Sequence, residues 1–514
     1  MSRPADPADR AVGRRRFLHA AGLAAGAVAA APAAGAVERA AQEPRPAPAG
    51  TGGPAAAPRG GPSLSRQFSR WVAGLRYEDV PPAVVDRIKG LTLHALSSIL
   101  LGSQMEGGRE AAALVIAEES AVRNGATVMV NGAKATKCGA VFANAEMAQA
   151  AGKWDTFRML THPGISIFPS AFAAAEAEGT SGRDFIAGVA AGYEVMERMA
   201  SDFIPSVMAH GFHASSVFSI FGAAMVAARL MRLDEDQINA TFGHCVNMAG
   251  GNLESLGREG LSARNAMMAV ALAKLGHPAA ETILEGEAGF YYAYTGNNRG
   301  DLTYSFTGDR HVNLHGITEG LGKDWTLLET LYRIYSISGY NIAHIDVTAR
   351  LCEEHDIRYA DVDRVEAVVN WLETLYPTPA FPARHEAAKP TRRGNTPYFT
   401  AYGVVKRGYP MLPGTPDPPE VLELMNRVTI VPSHETGLFA PRITIFTKDG
   451  RSYTKQATGR EFIWDFDDEV RRIRAVVPGL PIPAAQFEAI VETCRTLDRQ
   501  ERADRLVQLT LKPA

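Results

Sequence analysis

The sequence predicts a mainly α fold, with a large all-helical domain and an inserted smaller α/β lid domain. From Leu64 to about Gly320, the chain is a succession of Ala-rich segments with apolar residues at helical spacing. Beyond Gly320 the composition shifts to β-branched runs, and helical periodicity returns from Asp467 onward. The expected boundaries are 63–322 and 461–514 for the two parts of the helical domain, and 323–460 for the lid.

Helical periodicity is clearest in two segments of the first part. Apolar residues recur three or four positions apart over residues 84–96 and again over residues 185–199. The Gly and Ala density permits close approach of neighbouring axes, so we expect helix packed on helix. Turns and N-caps are expected at Pro81-Pro82, at 179–182 and at 233–236.

The lid is expected to contain strands mixed with helices. Runs rich in β-branched residues predict strands over residues 365–371, 428–431 and 442–447. The last of these leads into Lys448-Asp449-Gly450-Arg451, which has the composition of a hairpin turn. Helices are expected within residues 345–354 and 400–406.

The first residues have the pattern of an export signal. Arg14 and Arg15 precede Phe17, a charge-free apolar run covers residues 20–31, and small residues end at Ala36. This pattern is typical of a twin-arginine signal, and the run is shorter than the roughly 20 residues that span a bilayer. We therefore predict a signal peptide over 1–36, export to the periplasm, and the twin-arginine translocase as a partner during export.

Composition then limits the mature chain. Residues 37–62 are rich in Ala, Pro and Gly and hold little that could form a core, so they are predicted to be a flexible linker. The whole chain has a net charge of −3, and removing the +3 of the signal leaves about −6. This mild acidity, without a basic stripe, argues against a nucleic-acid partner.

The ordered motifs of the chain resemble those of the MmgE/PrpD family, which includes 2-methylcitrate dehydratase and cis-aconitate decarboxylase. The resemblance implies elimination of water or carbon dioxide from a small carboxylate, without a metal or cofactor, by a homodimer. The matching stretches are Asp155-Thr156, Thr161-His162-Pro163, Gly182-Arg183-Asp184 through 191–195, Gly211-Phe212-His213, 221–224, 283–286, Gly289-Phe290, Tyr398 and Lys448-Asp449-Gly450.

The resemblance also implies site residues. His162 and His213 match the two family histidines, and a histidine suits proton transfer because its ordinary pKa lies near 6.5. Tyr398 matches a lid tyrosine that donates a hydrogen bond or proton, Asp155 is expected to be catalytic, and Thr156 to bind substrate. Without the resemblance, His162 before proline is typical of a turn, and His213 is equally compatible with core packing. A lone tyrosine in a Pro-Tyr-Phe context, such as Tyr398, is typical of core packing.

Several positions depart from the family pattern. Gly152 and Trp154 stand where an aspartate is usual, Glu259 stands where many members carry lysine, and Ser262 replaces a histidine. These changes alter the charge balance of the pocket. We therefore expect a substrate different from the usual tricarboxylate, with fewer polar groups or a bulkier apolar part.

Cationic side chains are the remaining candidates for binding an anion. Arg333 replaces a lid lysine, and its guanidinium stays protonated, so it is predicted to clamp a carboxylate and not to act as an acid or base. His344 lies near a histidine position of the family pattern. Further substrate-binding candidates, each equally compatible with a solvated surface charge, are Lys153, Arg258 and Arg264.

Three functions compete at this level. The first is an exported, metal-independent lyase of dehydratase or decarboxylase type that uses histidine-mediated proton transfer. The alternative is a non-catalytic protein that binds a small anion on the same scaffold, which would explain the missing aspartate and lysines. A purely structural role accounts least well for the match of lid residues such as Tyr398.

Overall fold

The computed structural model describes residues 61–253, 258–374, 396–410, 412 and 416–513. The predicted signal peptide, 1–36, and almost all of the predicted linker, 37–62, lie outside the described residues. Within the described part, 17 α-helices and a few small sheets confirm the predicted mainly α fold with a smaller α/β part. None of the helices described there combines the length and the apolar character needed to cross a bilayer.

The first part of the chain is almost entirely helical. Two of the predicted turns begin helices, since Ser181 accepts a hydrogen bond from the backbone of Asp184 and Asp234 from that of Gln237. The helices are α1 (Leu64–Gly74), α2 (Pro82–Gly102), α3 (Glu106–Glu119), α4 (Lys137–Ala150), α5 (Pro163–Glu178), α6 (Gly182–Ala200), α7 (Ile204–Ala209), α8 (Ala214–Leu230), α9 (Glu235–Met248), α10 (Glu259–Lys274) and α11 (Phe290–Thr295).

Helix α8 lies at the centre of this part and packs against α5, α6 and α10. Nearly all of its residues are small or apolar, and they are buried around its whole circumference. Glycines let α6 and α8 approach closely: a Cβ added at Gly192 would lie 2.8 Å from the carbonyl oxygen of Gly222. The high content of Ala and Gly in the sequence thus corresponds to close helix packing in the structure.

The α/β part contains α12 (Gly339–Glu354), α13 (Thr396–Lys406), α14 (Pro419–Leu424), β5 (Val362–Asn370), β6 (Val428–Ser433), β7 (Arg442–Thr447) and β8 (Ser452–Gln456). The strands form one sheet in the order β6-β5-β7-β8, parallel between β5 and β6 and antiparallel elsewhere. Val365 pairs with Val428 on one side and Ile445 on the other. Helices α12 and α13 pack on each other and contact the sheet.

The end of the chain packs back onto its beginning. It contains α15 (Phe466–Ile473), α16 (Ala484–Arg495) and α17 (Arg505–Gln508), and the first two of these contact α2. Backbone hydrogen bonds join it to the turn before α6, from Gly182 to Gln500 at 2.9 Å and from Ala503 to Thr180 at 2.8 Å.

Two short ladders complete the structure, β1 (Ala126–Thr127) with β2 (Lys134–Ala135) and β3 (Asp155–Thr156) with β4 (Leu331–Tyr332). In the second ladder Asp155 pairs with Tyr332, and the backbone N–H of Arg333 donates to the carbonyl of Trp154 at 2.7 Å. This ladder therefore brings the Asp-Thr motif next to the predicted lid cation.

Candidate active site

One cleft, of about 200 Å³, brings together five of the polar residues singled out in the sequence, Thr156, His162, His213, Glu259 and Arg333. Its walls come from the helical part and from residues 333–340 and 439 of the second part. The polar and aromatic side chains that line it include Trp154, Thr156, His162, His213, Glu259 and Arg333.

Four helices of 16 or 17 residues begin at this cleft. His162 and His213 are the N-cap residues of α5 and α8, Glu259 is the first residue of α10, and Ser338 precedes α12. A helix N-terminus carries unpaired N–H groups and a partial positive charge. Four such ends around one space favour an anion within it.

His162 is buried, and its ring is oriented by the backbone. Its Nδ1 lies 3.1 Å from the carbonyl oxygen of Asp155 and 3.2 Å from Oγ1 of Thr156. A carbonyl oxygen only accepts, so Nδ1 carries the proton and Nε2 keeps a lone pair. Burial lowers the pKa of His162 well below its usual value, and the charge of Arg333 lowers it further. The imidazole is thus neutral near pH 7.

His213 has the opposite arrangement. Its Nδ1 accepts the backbone N–H of Ser216 at 3.4 Å as the cap of α8, so Nε2 carries the proton. Burial lowers the pKa of this imidazole to about 4. The Nδ1 atom also lies 3.2 Å from Oγ of Ser216 and 3.8 Å from Oε1 of Glu259. His213 is therefore a neutral donor near pH 7.

Arg333 packs against Trp154. Its guanidinium carbon lies 4.1 Å from the centre of the indole ring, a cation–π contact. The same indole contacts the ring of His162, with 4.6 Å between ring centres, and its N–H donates to the backbone carbonyls of Ala148 and Gln149. Trp154, known from the sequence only as a departure from the family, thus fixes the position of the cation.

Glu259 is a buried carboxyl group on the cleft, with 2% of its surface exposed. Burial raises its pKa to about 7, and the nearby charge of Glu146 contributes to this rise. Hydrogen bonds from Ser215, Ser219 and Ser216 act in the opposite direction and lower the pKa. At this position, where many members of the family carry lysine, the chain therefore has a titratable acid beside His213.

The remaining wall is apolar. It is formed by Met159, Leu160, Ile165, Tyr340 and Phe439. Phe439 comes from the loop between β6 and β7, has a left-handed backbone with φ of 56°, and donates its N–H to Oε1 of Glu373 at 2.9 Å. Of these residues, Phe439 lacked a sequence signal, whereas the Ser-Gly pair before Tyr340 is a recognisable helix start.

Two predicted site residues face away from the cleft. Asp155 and Lys153 line a second, much smaller cavity of about 10 Å³ behind Trp154. Asp155 accepts hydrogen bonds from the backbone of Gly164, at 2.9 Å, and from the hydroxyl of Tyr193. Lys153 donates to the carbonyl of Ile334 at 2.6 Å, and burial lowers its pKa to about 8. Asp155 thus supports the site, and Lys153 does not reach a ligand in the cleft.

Three further predicted residues are not among the described residues that line the cleft. The hydroxyl of Tyr398 donates to Asp417 at 2.7 Å within a cluster of aromatic rings. His344 is fully buried, with Nδ1 2.8 Å from Oγ1 of Thr400, and burial lowers its pKa to about 3. Arg264 forms an ion pair with Glu119 at 2.6 Å. Their expected contact with substrate is thus not supported.

Arg258, a further candidate cation, pairs with Glu146 at 2.6 Å. In the part of the chain that the structure describes, no group of three or more His, Cys, Asp or Glu side chains is arranged to hold a metal ion. The described cleft therefore combines two neutral histidines, one guanidinium and one carboxyl group.

Comparison with known proteins gives consistent results. Residues 66–303 match the MmgE/PrpD N-terminal domain. The cis-aconitate decarboxylase-like protein oryM of Aspergillus oryzae is 24% identical over 325 residues, which are 60% of this chain and 65% of that protein. A cis-aconitate decarboxylase of Aspergillus terreus is 22% identical over 424 residues, 76% of this chain and 84% of that protein.

These relatives support a lyase-type function at the level of the family. The chain spans just under two thirds of the first relative and more than four fifths of the second. The low identities agree with the departures at Trp154 and Glu259. The domain match and the two relatives together support a divergent member of the MmgE/PrpD family.

Proposed function

We propose that the chain is an exported lyase, of dehydratase or decarboxylase type, that acts on a small carboxylate by proton transfer through His162 and His213. The observation that carries this proposal is the opposite protonation of two neutral imidazoles on one cleft. Nε2 of His162 keeps a lone pair because Nδ1 donates to a backbone carbonyl. Nε2 of His213 keeps a proton because Nδ1 accepts a backbone N–H. One histidine is thus prepared as a base and the other as an acid.

Substrate binding is assigned to Arg333 and the helix N-termini. Arg333 presents a planar guanidinium that suits a carboxylate, and Trp154 holds it in place. The four helix ends add favourable potential for the same anion. A carboxylate bound there lets the adjoining carbon reach the histidines.

Each reaction type uses the histidines in a defined way. In a dehydration, Nε2 of His162 removes the proton from the carbon next to the carboxylate, and its ring becomes an imidazolium. The hydroxyl on the following carbon leaves as water with the Nε2 proton of His213, while Nδ1 of the same ring takes up the proton of the Glu259 carboxyl group, 3.8 Å away, so that His213 stays neutral. In a decarboxylation, the carbon–carbon bond to the departing carboxylate breaks, carbon dioxide leaves, and the electron pair left on carbon takes the Nε2 proton of His213, which Glu259 replaces at Nδ1 in the same way. Positioning of the reacting groups lowers the activation barrier of either reaction further.

The test is turnover in deuterated water. The purified protein is incubated with a panel of mono-, di- and tricarboxylates while alkene absorbance and deuterium incorporation are followed. We expect an alkene to form or be consumed, with exchange at the carbon beside the carboxylate. A melting-temperature shift without turnover or exchange for any acid would instead support the non-catalytic binder.

The binder remains a second candidate because of one observation. Arg333, the one cationic side chain among the described residues that line the cleft, cannot exchange protons near neutral pH, and Glu259 stands where many members of the family carry lysine. A scaffold that keeps an anion site but no longer turns over its ligand would have this arrangement.

The homodimer remains a proposal and gains support from α10. Leu261, Met268 and Leu275 are 49%, 44% and 76% exposed and lie seven residues apart, so they form one apolar stripe. A second copy would cover this stripe. Sedimentation at micromolar concentration should give a dimer, and Met268→Glu should shift it toward monomer. A matched change at exposed Leu422, on α14, should not. A monomeric unaltered protein would contradict the proposal.

Export by the twin-arginine route also remains a proposal, because it rests on residues outside the described part. Replacing both Arg14 and Arg15 by Lys should hold the precursor in the cytoplasm, since the translocase reads the arginine pair and not the charge alone. Fractionation of cells that express the two forms measures this. Undiminished export of the double variant would refute it.

A further inference from the structure

Arg333 and Glu259 are two side chains of opposite charge that line the cleft, and a series of contacts links them. Arg333 packs on Trp154, which contacts His162. The backbone N–H of His162 donates to Oγ of Ser215 at 3.0 Å, and the next residue, Ser216, is bonded to His213. In this series of contacts, His162 and His213 lie between Arg333 and the carboxyl group of Glu259.

Glu259 is held at its end of the cleft by several contacts. Its backbone N–H donates to the side-chain oxygen of Gln149 at 3.0 Å, and its backbone carbonyl accepts from Ser166 at 3.2 Å. The side-chain Oε1 lies 3.5 Å from Oγ of Ser216 and 3.8 Å from Nδ1 of His213. A glutamate in a first helical turn usually points into solvent, where it favours the helix dipole. This one is buried and lines the cleft.

A carboxyl group at this end controls what the far end of a ligand can be. With one carboxylate on Arg333, a second carboxylate near Glu259 would meet a like charge in a desolvated space, which is strongly unfavourable. A hydroxyl group there would instead donate to Glu259 or accept from its protonated form. The pKa of about 7 lets this side chain serve in either form near neutral pH.

We propose that Glu259 is a specificity-determining residue that restricts the cleft to acids with a single carboxylate, bound at Arg333, and a neutral hydrogen-bonding group such as a hydroxyl at the other end. This inference rests on the proposed function in one respect, because it takes Arg333 as the anchor of the carboxylate. It does not require turnover.

The test compares the binding of three probes by calorimetry at pH 8, where Glu259 is mostly ionised. The probes are 3-hydroxybutyrate, with one carboxylate and one hydroxyl, 2-methylsuccinate, with two carboxylates, and tricarballylate, with three. We expect 3-hydroxybutyrate to bind the unaltered protein about tenfold more tightly than either of the others. A second carboxylate would bind the protonated form of Glu259, and with a pKa of about 7 this form is about a tenth of the molecules at pH 8.

Two substitutions separate the effect of the negative charge of Glu259 from the effect of its size. Glu259→Gln keeps the size of the side chain and should remove most of the preference, by strengthening the binding of 2-methylsuccinate about tenfold. Glu259→Lys should reverse the preference. Glu285→Gln is the matched control, since it also removes a buried carboxyl group but one that is not among the described residues lining the cleft, and it should leave the preference in place.

The outcomes distinguish this inference from the proposed function. Equal affinity of the unaltered protein for the three probes, or no binding of any of them, overturns the inference, and so does an unchanged preference in Glu259→Gln. Arg333→Gln that leaves all affinities unchanged refutes the anchor and with it the proposed binding mode. A protein that shows the preference but turns over no acid supports the inference and refutes the lyase.

Discussion

The open cleft and the smaller cavity behind it share a wall, formed by Trp154 and Ile165, yet their chemistry differs. Successive residues of one motif alternate between them: Lys153 and Asp155 face the inner cavity, whereas Trp154 and Thr156 face the cleft. Such alternation is expected of extended chain, in which neighbouring side chains point to opposite sides. Of two neighbouring residues in one family motif, one can therefore line the site of the reaction while the other stabilises the fold.

The two sides also differ in how their polar groups are satisfied. Asp155 is surrounded by donors of its own fold, the Gly164 backbone and the Tyr193 hydroxyl. Each cleft histidine, in contrast, uses Nδ1 for the fold and leaves Nε2 for a ligand. Changes on the cleft side should thus affect turnover, and changes on the inner side should affect stability.

The largest effect is expected on the cleft side. His162→Gln removes the lone pair that acts as base, so turnover should fall about 10³-fold, within the usual range for loss of a general base. The melting temperature should change by no more than about 2 °C, since the ring makes few structural contacts beyond Asp155 and Thr156. Steady-state rates and thermal unfolding measure both. Retention of more than a tenth of the activity would contradict the base assignment.

The next largest effect is expected on the inner side. Asp155→Ala leaves the Gly164 N–H and the Tyr193 hydroxyl without their acceptor, which should lower the free energy of unfolding by about 2 to 4 kcal/mol. Urea titration measures this, with Asp155→Asn as a control that keeps an acceptor and should lose less. If Asp155→Ala folded as stably as the unaltered protein, the division between the two cavities would be wrong.

A smaller effect is expected for the anchor. Arg333→Lys keeps the positive charge but loses the planar fork and its stacking on Trp154, so KM should rise about tenfold while kcat stays within about threefold. Initial rates over a range of substrate concentrations give both constants. A fall in kcat with unchanged KM would assign Arg333 to the chemical step instead of binding.

The smallest effect is expected for Tyr398, which lines neither cavity as described. Tyr398→Phe removes the hydrogen bond to Asp417, so kcat/KM should stay within about twofold, as expected for a residue remote from the reacting groups. The same assay used for His162 measures it. A loss of a hundredfold would show that the lid moves to bring Tyr398 over the substrate.

The sequence was sufficient where local signals and motif positions agreed. His162 before proline, and His213 before an apolar helix, are at helix starts, and both histidines lie on the cleft. The orientation of Asp155 could not be predicted, because it depends on the pairing of β3 with a strand far along the chain. Arg264 and His344 are similar cases, since their partners Glu119 and Thr400 are set by tertiary packing.

The bond between Arg333 and Trp154 joins two positions separated by most of the helical part of the chain. Closing so long a loop costs entropy that local contacts do not repay, and contacts of this kind form late in folding. The cleft should consequently be absent from any partly folded or truncated form that lacks β4, even one with native helices. Ligand binding would then report completion of the whole fold, which makes it a sensitive measure of whether a molecule has finished folding.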